Sequence, residues 1–428
     1  MTWLQTTIGD ICLPTAQRDP SRSGNGTFRY MDIAGIDREQ KTISRAEAIP
    51  CSDAPSRARK EVKAGDVIVS TVRPNLNAIA QVPEELDGEI ASTGFAILRA
   101  NPELADSRYL FYRVQHPEFI DYLVTNATGA SYPAVSDGVV RRAPLPLPPL
   151  SEQRRIVELL DEANRLRRLR READGKAARI LPALFLKMFG DPATNPKGWN
   201  TTSVGEIISA ADYGSSTRAS DDDSGLPMIR MGNVDYAGHL DLRDLKHVQL
   251  ESSEIARYRL EPGDILFNRT NSKELVGKTA LWDGAFEAVA ASYFIRLRPN
   301  LSQVTSCFFW AFMNCSYMKR IIYSTARGAI GQANINATEL RAFPILLPPL
   351  DQQEVFSQNW ISVKNTLFAN AQGHIYLEYL FSILIQRAFS GQLTTKWREA
   401  HMKELLVEME QQARALNLPL PIALEAST

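Results

Sequence analysis

The sequence predicts an α+β fold in which two tandem mixed α/β units are separated by two long helices, forming a pseudo-twofold internal repeat. The phrase PLPPLSEQ at 146–153 returns as LLPPLDQQ at 346–353, each time before a long helical pattern. Trp3 pairs in the same way with Trp199 at an offset of 196, and other landmarks pair at up to 200. Self-similarity at one period indicates a duplicated structural unit.

The two units are predicted at residues 1–150 and 191–350. Apolar runs bounded by turn residues predict strands at matching places, 66–70 and 264–267. Near its end each unit has a helical, aromatic-rich stretch. Each unit is also long enough to bury its own core.

The segments 151–190 and 351–390 are predicted to be a central and a distal spacer helix. Proline ends the preceding element, and Ser151 and Asp351 are typical N-cap residues. Apolar residues then recur at heptad-like spacing, so we expect the two helices to pack as an antiparallel coiled-coil-like pair. Pro182 is expected to kink or split the first helix.

The last segment, 391–428, is predicted to be an amphipathic docking helix followed by a tail. Between Lys396 and Leu416, residues such as Trp397, Leu405 and Met409 share one helical face. The pattern leaves open whether this helix docks onto this chain or onto another one.

Composition restricts the class of protein. The 44% hydrophobic content is typical of a globular protein, and the net charge of −1 requires a DNA-binding chain to localise its positive charge or to share DNA with partners. The cysteines form no zinc-ligand pattern, which favours a reducing cytoplasm, and we expect no signal peptide and no membrane span. The cysteines are Cys12, Cys51, Cys307 and Cys315.

The central helix carries the densest basic cluster of the chain. The interpretation is open between a solvated helix face and a contact with phosphates or an acidic partner. The cluster consists of Arg165, Arg167, Arg168, Arg170 and Arg171.

Catalytic and metal motifs are not recognisable. Gly277-Lys278-Thr279 lacks the first glycine of a phosphate-binding loop, because Ser272 stands at that position. Asp53 with 61–63 only faintly resembles a metal-dependent nuclease and has no counterpart in the second half. We therefore predict no catalytic residue, no metal site and no cofactor bound by this chain.

Loops rich in hydrogen-bond donors lie at matching places in the two units. Arginine can donate to guanine and asparagine can pair with adenine in the major groove, although turn formation or surface hydrogen bonding explains each residue about equally well. The predicted DNA-binding residues are Arg57, Arg59, Thr71, Arg73, Asn75, Asn77, Tyr132, Ser215, Ser216, Arg218, Asn268, Arg269, Asn271, Ser272, Lys273 and Gln332.

From Trp3 to about Arg398, the sequence resembles the specificity (HsdS) subunits of type I restriction-modification systems. The motifs that carry the resemblance include PLPPLSEQRRIV at 146–157, GDVIVSTVRPNLNAIA at 65–80 and GDILFNRTNSKELVGKTAL at 263–281. The chain departs from the family pattern at DQQ (351–353) and in its less basic second helix.

The resemblance implies a non-catalytic subunit that reads a split, asymmetric DNA target, with one recognition domain for each half and the helix pair as the ruler for the spacer. It also implies two copies of a methylase subunit and a restriction/translocase subunit as partners, with S-adenosylmethionine, ATP and magnesium on those subunits. We expect both spacer helices and the C-terminal stretch to pack against the methylase. The alternatives are a stand-alone DNA-binding or scaffolding protein and, in another class, a nuclease or methyltransferase active by itself.

Overall fold

A computed structural model describes residues 2–22, 26–329 and 331–419. The chain clusters into two compact units. The first is formed by Met1–Arg170 together with His374–Thr428, and the second by Arg171–Gly373. Each long helix therefore contributes residues to both units, and the C-terminal segment belongs to the first.

The strands of the first unit are short and are separated by turns. They are β1 (Leu4–Thr7), β2 (Cys12–Leu13), β3 (Thr27–Met31), β4 (Ile36–Asp37), β5 (Thr42–Ile43), β6 (Glu47–Pro50), β7 (Ala58–Glu61), β8 (Val67–Ser70), β9 (Ile79–Gln81), β10 (Ile90–Ser92), β11 (Phe95–Ala100) and β12 (Pro144–Leu147). The sheets have the orders β6-β3-β10-β7 and β2-β11-β8-β9, and two-stranded pairs join β1 to β12 and β4 to β5.

The second unit repeats much of this plan. Its strands are β13 (Asn200–Ser203), β14 (Ile208–Tyr213), β15 (Leu226–Ile229), β16 (Lys246–Val248), β17 (Ile265–Asn268), β18 (Thr270–Asn271), β19 (Thr279–Leu281), β20 (Val289–Ala290), β21 (Phe294–Pro299), β22 (Arg327–Ala329), β23 (Gln332–Asn334) and β24 (Pro344–Leu347). The sheets are ordered β14-β21-β17-β19, β16-β15-β20 and β18-β23-β22, and β13 pairs with β24. The pairs β1–β12 and β13–β24 are antiparallel equivalents that close each unit.

The helices include the two long ones that the repeated phrase predicts. They are α1 (Ser107–Arg113), α2 (Pro117–Thr125), α3 (Asp137–Arg142), α4 (Leu150–Ala177), α5 (Ile180–Phe189), α6 (Ser252–Tyr258), α7 (Ser306–Asn314), α8 (Ser316–Thr325), α9 (Ala337–Arg341), α10 (Leu350–Phe389), α11 (Thr395–Ala400) and α12 (Met402–Ala415).

The central strand of each unit, β8 or β17, lies between two cores, and its successive side chains alternate between them. In β8, Val67 and Val69 enter the core formed with α1 and α2, whereas Ile68 enters a second core on the other side. In β17, Phe267 and Leu266 divide between two cores in the same way. This explains why both strands are continuous apolar runs in the sequence, as is typical of strands buried on both faces.

The predicted N-caps were wrong by two residues. Both long helices begin at leucine, Leu150 and Leu350, and Gln153 N already donates to Pro149 O at 2.9 Å. Ser151 therefore lies inside the first turn of α4, where its N–H donates to the Glu408 carboxylate at 2.8 Å. A tertiary partner from the C-terminal segment thus replaces the local cap.

The predicted central helix is split into α4 and α5, and the break falls at Ala178 and Arg179. Pro182 explains the position, because it has no N–H to donate to the carbonyl four residues earlier, that of Ala178. Pro182 itself lies in the first turn of α5, where an N–H has no intrahelical partner. The distal helix α10 is continuous through Gly373.

Within each unit the long helices run antiparallel to each other. In the first unit Glu152, near the start of α4, bonds to Arg398 beyond the end of α10, while Arg167 pairs with Glu378 farther back along α10. In the second unit the Phe185 ring of α5 lies 6.0 Å from that of Phe356, near the start of α10. The predicted antiparallel pairing is thereby confirmed within each unit.

The C-terminal segment forms two helices, α11 and α12, rather than the single predicted one. Leu405, Met409 and Ala413 are completely buried, and Met409 and Ala413 belong to the core of the first unit. The apolar face of α12 therefore docks onto its own chain, which answers the question that the sequence pattern left open; the expectation that the C-terminal stretch also packs against a methylase stays a prediction. Residues 420–428 of the predicted tail lie outside the described residues.

Candidate nucleic-acid interface

In the first unit, the turn between β10 and β11 holds two polar loops together. Thr93 N donates to Arg57 O at 2.8 Å, and Gly94 O accepts from Thr71 N at 2.8 Å and from Thr71 Oγ1 at 2.9 Å. The loop around Arg57 and the loop after β8 are thus fixed on either side of one turn. Arg57 itself is exposed, whereas Thr71 is only 6% exposed.

A third loop, which carries Tyr132, contacts the loop after β8 through Arg73, and these three loops form the polar edge of the first unit. Arg73 N donates to Pro133 O at 2.7 Å, and the Arg73 guanidinium carbon lies 4.5 Å from the centre of the Tyr132 ring. Tyr132 is 69% exposed, a large value for an aromatic side chain. Asn75, which follows in the same loop, is exposed as well. The edge therefore presents a cation, an aromatic ring and an amide to solvent.

Of the predicted contacts of the first unit, Arg59 is bonded within the unit, and Asn77 lies at a cavity where its Oδ1 is buried without a hydrogen-bond partner in the described part of the chain. Arg59 donates to Pro55 O and Ala58 O and forms an ion pair with Asp19 at 3.3 Å. Asn77 lines a cavity of about 240 Å³ bordered by Lys41 and by α4 and α10 residues. Both side chains therefore have structural surroundings that the sequence pattern did not reveal.

In the second unit, the turn between β20 and β21 has the equivalent role. Ser292 N donates to Ser215 O at 2.7 Å, and Arg269 N donates to Tyr293 O at 2.8 Å. Arg269 thus occupies the backbone position that Thr71 has in the first unit. The same frame accordingly carries a cation here and a small buried hydroxyl there.

Arg269 is held against an aromatic ring, as Arg73 is, but by a different partner. Its guanidinium carbon lies 4.9 Å from the centre of the Tyr213 ring. The Tyr213 hydroxyl accepts a hydrogen bond from Ala337 N at 3.3 Å, which fixes the ring. Arg269 Nε is buried without a hydrogen-bond partner in the described part of the chain. The guanidinium is therefore positioned by stacking and not by a carboxylate.

Burial corrects the expectation of direct DNA contact for three residues. Asn268 is completely buried and donates to Thr270 O and Tyr293 O, both at 3.3 Å. Ser215 is 2% exposed, and its hydroxyl accepts from Thr217 N at 3.2 Å. The side chains of Thr71 and Asn268 bond to the crossing turn, and that of Ser215 bonds within its own loop, so all three support the loops instead of facing a ligand.

The other predicted residues of the second unit are surface groups or lie at the edge of the small sheet β18-β23-β22. Asn271 Nδ2 donates to Asn268 Oδ1 at 3.0 Å, and Asn271 Oδ1 accepts from Ser272 N. The Lys273 ammonium lies 4.7 Å from the centre of the Tyr323 ring. Those exposed to solvent are Ser216, Arg218, Lys273 and Gln332.

Sequence reasoning missed several residues of these edges, among them Tyr213, Tyr293 and Asn334. Tyr213 and Tyr293 are each 44% exposed, and Asn334 lies beside Gln332 on β23. Tyr293 stands where the repeat has Gly94, so aligning the two halves residue by residue would have drawn attention to it. Tyr213 gives no such signal, because its role arises only from stacking with Arg269.

In the described ranges, no group of histidine, cysteine, aspartate or glutamate side chains could hold a metal ion. Among the same residues, no helix is both long and apolar enough to cross a membrane.

A duplicated α/β unit with a donor-rich edge, joined to its copy through long helices, defines a tandem recognition-domain protein. Residues 196–358 match the family described as type I restriction modification DNA specificity domain. This range of the chain therefore belongs to that DNA specificity domain family.

Individual relatives agree with this assignment. The chain is 30% identical over 161 residues to a putative type I restriction enzyme MjaX specificity subunit of Methanocaldococcus jannaschii, covering 37% of this chain and 38% of that protein. It is 26% identical over 298 residues to the EcoKI specificity subunit of Escherichia coli, covering 64% and 62%. The chain therefore spans 38% and 62% of the lengths of these two curated relatives.

A solved structure extends the similarity to nearly the whole chain. It is described as showing complex assembly and conformational transition of the type I R-M system. The match has 28% identity and a TM-score of 0.59, and it covers 92% of this chain and 98% of the other.

Proposed function

We propose that this chain is the DNA sequence-specificity subunit of a type I restriction-modification complex and that it has no catalytic activity of its own. In this proposal each unit reads one half of a bipartite, asymmetric DNA target. Catalysis belongs to partner subunits: two copies of a methylase that carries S-adenosylmethionine, and a restriction/translocase subunit that uses ATP and magnesium.

The observation that carries the proposal is the pair of equivalent but unlike polar edges. In both units a turn before the long β11 or β21 strand fixes the loop that follows the central strand, through Gly94 O in one and Tyr293 O in the other. On this common frame, Arg73 and Tyr132 are exposed in the first unit, while Arg269 stacks on Tyr213 in the second. Similar frames with different donors suit two different half-sites.

The proposed partner surface lies on the helices. In the first unit, Phe381 and Ile385 of α10 are buried, whereas Tyr376, Tyr379 and Leu380 on its opposite face are 65%, 64% and 52% exposed. An apolar stripe of this kind supports docking of a helix from another subunit. The methylase is therefore expected to cover α10, while α12 is already occupied by its own unit.

The proposal is tested by methylome sequencing of cells that express this chain together with its methylase. The expected result is N6-methyladenine in one bipartite, asymmetric motif. Exchange of residues 1–150 for those of a relative should change one half of the motif only. Lengthening α4 and α10 by equal whole turns should change the spacer and leave both halves intact.

The purified chain without partners is the matched control. It should neither methylate DNA in the presence of S-adenosylmethionine nor cleave DNA in the presence of magnesium. Either activity, in a sample free of the partner subunits, would contradict the proposal. DNA binding without any effect on methylation would instead favour a stand-alone DNA-binding or scaffolding protein.

A further inference from the structure

The backbone at Arg73 has a conformation that arginine rarely adopts. Its φ of 48° and ψ of 61° lie in the left-handed region, directly before the 3-10 turn Pro74–Leu76. Such a conformation is unfavourable and persists where the surrounding structure determines it, which is often the case at functional sites. Here the bond from Arg73 N to Pro133 O at 2.7 Å holds it in place.

The Tyr132 ring, which contacts the Arg73 guanidinium, is also fixed by its backbone. Tyr132 lies in a tight loop closed by two backbone hydrogen bonds between Thr128 and Ala134, each 2.9 Å long. Gly129 in this loop has a φ of 101°, and a Cβ at that position would lie 3.0 Å from Tyr132 O. The exposed ring and the exposed guanidinium are thus positioned by backbone contacts, before any ligand is bound.

The Arg73 guanidinium also keeps most of its donors free for a ligand. Arg59 and Arg99 of the same unit form ion pairs with Asp19 and Asp66. Arg73, in contrast, makes only a long contact of 3.5 Å from Nη2 to Ser131 O, and no ion pair joins it to a carboxylate in the described part of the chain. Its charge is therefore presented to solvent.

We infer that Arg73, held by Tyr132, is a specificity-determining residue that reads a guanine in the half-site of the first unit. This inference rests on the proposed function and adds the base that is read. A planar guanidinium can donate two N–H groups to O6 and N7 of guanine in the major groove, and stacking on the Tyr132 ring leaves its donor edge free. A phosphate contact would need neither the left-handed backbone nor a fixed ring, since phosphates carry no base information.

The test uses the complex of this chain with its methylase and duplexes that contain the methylated motif. Each guanine of the motif is replaced in turn by 7-deazaguanine, which lacks the N7 acceptor, and affinity is measured by competition. For the wild-type complex, one substitution should weaken binding about 10- to 100-fold. In Arg73→Ala and Arg73→Asn, that substitution should have no further effect, and the motif should lose its requirement for that base.

Two further variants separate a role in reading from a role in folding. Asparagine tolerates the left-handed backbone, so Arg73→Asn guards against misfolding of the loop. Tyr132→Ala should reduce discrimination at the same guanine by about two- to fivefold, the contribution of an exposed cation–π contact. Arg45→Ala, which removes an exposed arginine paired with Glu47, should keep the wild-type pattern.

The results distinguish failure of this inference from failure of the proposed function. If the wild-type complex methylates a bipartite motif but no guanine depends on Arg73, only the reading role of Arg73 is refuted. The same holds if Arg73→Ala weakens all duplexes equally and leaves the motif unchanged, since that is the behaviour of a phosphate contact. If the wild-type complex shows no defined motif, both proposals fail together.

Discussion

The glutamine that stands three residues after each Pro-Pro-Leu phrase gives a quantitative prediction that compares the two units. Gln353 is completely buried, accepts from Thr305 N at 2.9 Å, and donates to Gln303 O at 3.1 Å and Pro348 O at 2.8 Å. Gln353→Ala therefore leaves three backbone groups, one buried and two partly buried, without this partner. Because two of them are only partly buried, the lower end of about 1–3 kcal/mol for each applies, which gives a loss of about 3 kcal/mol for the second unit.

Gln153 makes the equivalent bonds in the first unit, but a second glutamine bonds to two of the same backbone groups. It accepts from Asp106 N at 2.9 Å and donates to Leu104 O and Pro148 O at 3.0 and 2.8 Å. Gln412 of α12 donates to the same two carbonyls at 2.9 and 3.3 Å. Gln153→Ala thus leaves only Asp106 N without a partner, which corresponds to about 1–3 kcal/mol.

We therefore expect Gln153→Ala to destabilise the first unit by roughly 2 kcal/mol less than Gln353→Ala destabilises the second. Hydrogen exchange followed by mass spectrometry in mild denaturant reads the two units separately, because each peptide reports the opening of its own unit. The double variant Gln153→Ala/Gln412→Ala should destabilise the first unit as much as Gln353→Ala destabilises the second. Equal losses for the two single variants, or no added effect from the second change, would refute the argument.

Two further predictions concern buried cations. Arg398→Met should destabilise the first unit by about 3–5 kcal/mol in thermal unfolding, because it leaves the completely buried Glu152 carboxylate without its ion-pair partner. The matched control Arg414→Met removes an exposed ion pair and should lower the free energy of unfolding by only about 0.2–1 kcal/mol. Desolvation by burial lowers the pKa of Lys319 to about 8. The unfolded chain then binds more protons, so the stability of the wild type relative to Lys319→Met should rise between about pH 8 and 10.5, in denaturant titrations, and stay flat below pH 8. A stability difference between the two proteins that stays constant from about pH 8 to 10.5 would contradict this prediction.

Much of the fold could be predicted because the repeated phrase has a local structural function. β12 ends at Leu147 before the two prolines, Leu150 begins the helix, and Gln153 closes the junction through bonds to nearby backbone. Such short-range requirements leave a recognisable pattern in the sequence. The N-caps were predicted wrongly because Ser151 has a partner, Glu408, that is 257 residues away. No local pattern indicates a contact of that range.

The candidate site was predicted less completely for the same physical reason. The backbone frame of the loops follows from strand ends and turns, so the loops after β8 and β17 were located correctly. Whether a side chain is buried or exposed depends on the turn that crosses it. Thr71 and Asn268 face that turn and are buried, while Arg73 projects beside Tyr132, a residue that only tertiary structure places next to it.

The C-terminal segment shows how far the two copies of the repeat have diverged in closing their units. In the first unit, the buried Glu152 carboxylate accepts from Trp3 Nε1 at 2.9 Å and from Arg398 Nε at 2.7 Å, so the segment before β1 and the segment after α10 meet at the start of α4. In the second, Trp199 Nε1 donates to Phe189 O at 2.9 Å, a neutral bond between near neighbours. A buried ion pair is strongly destabilising when one partner is lost, whereas a neutral bond is less so. The first unit is therefore complete only when the residues after α10 are in place, and the C-terminal helices are part of that recognition unit, not an appendage.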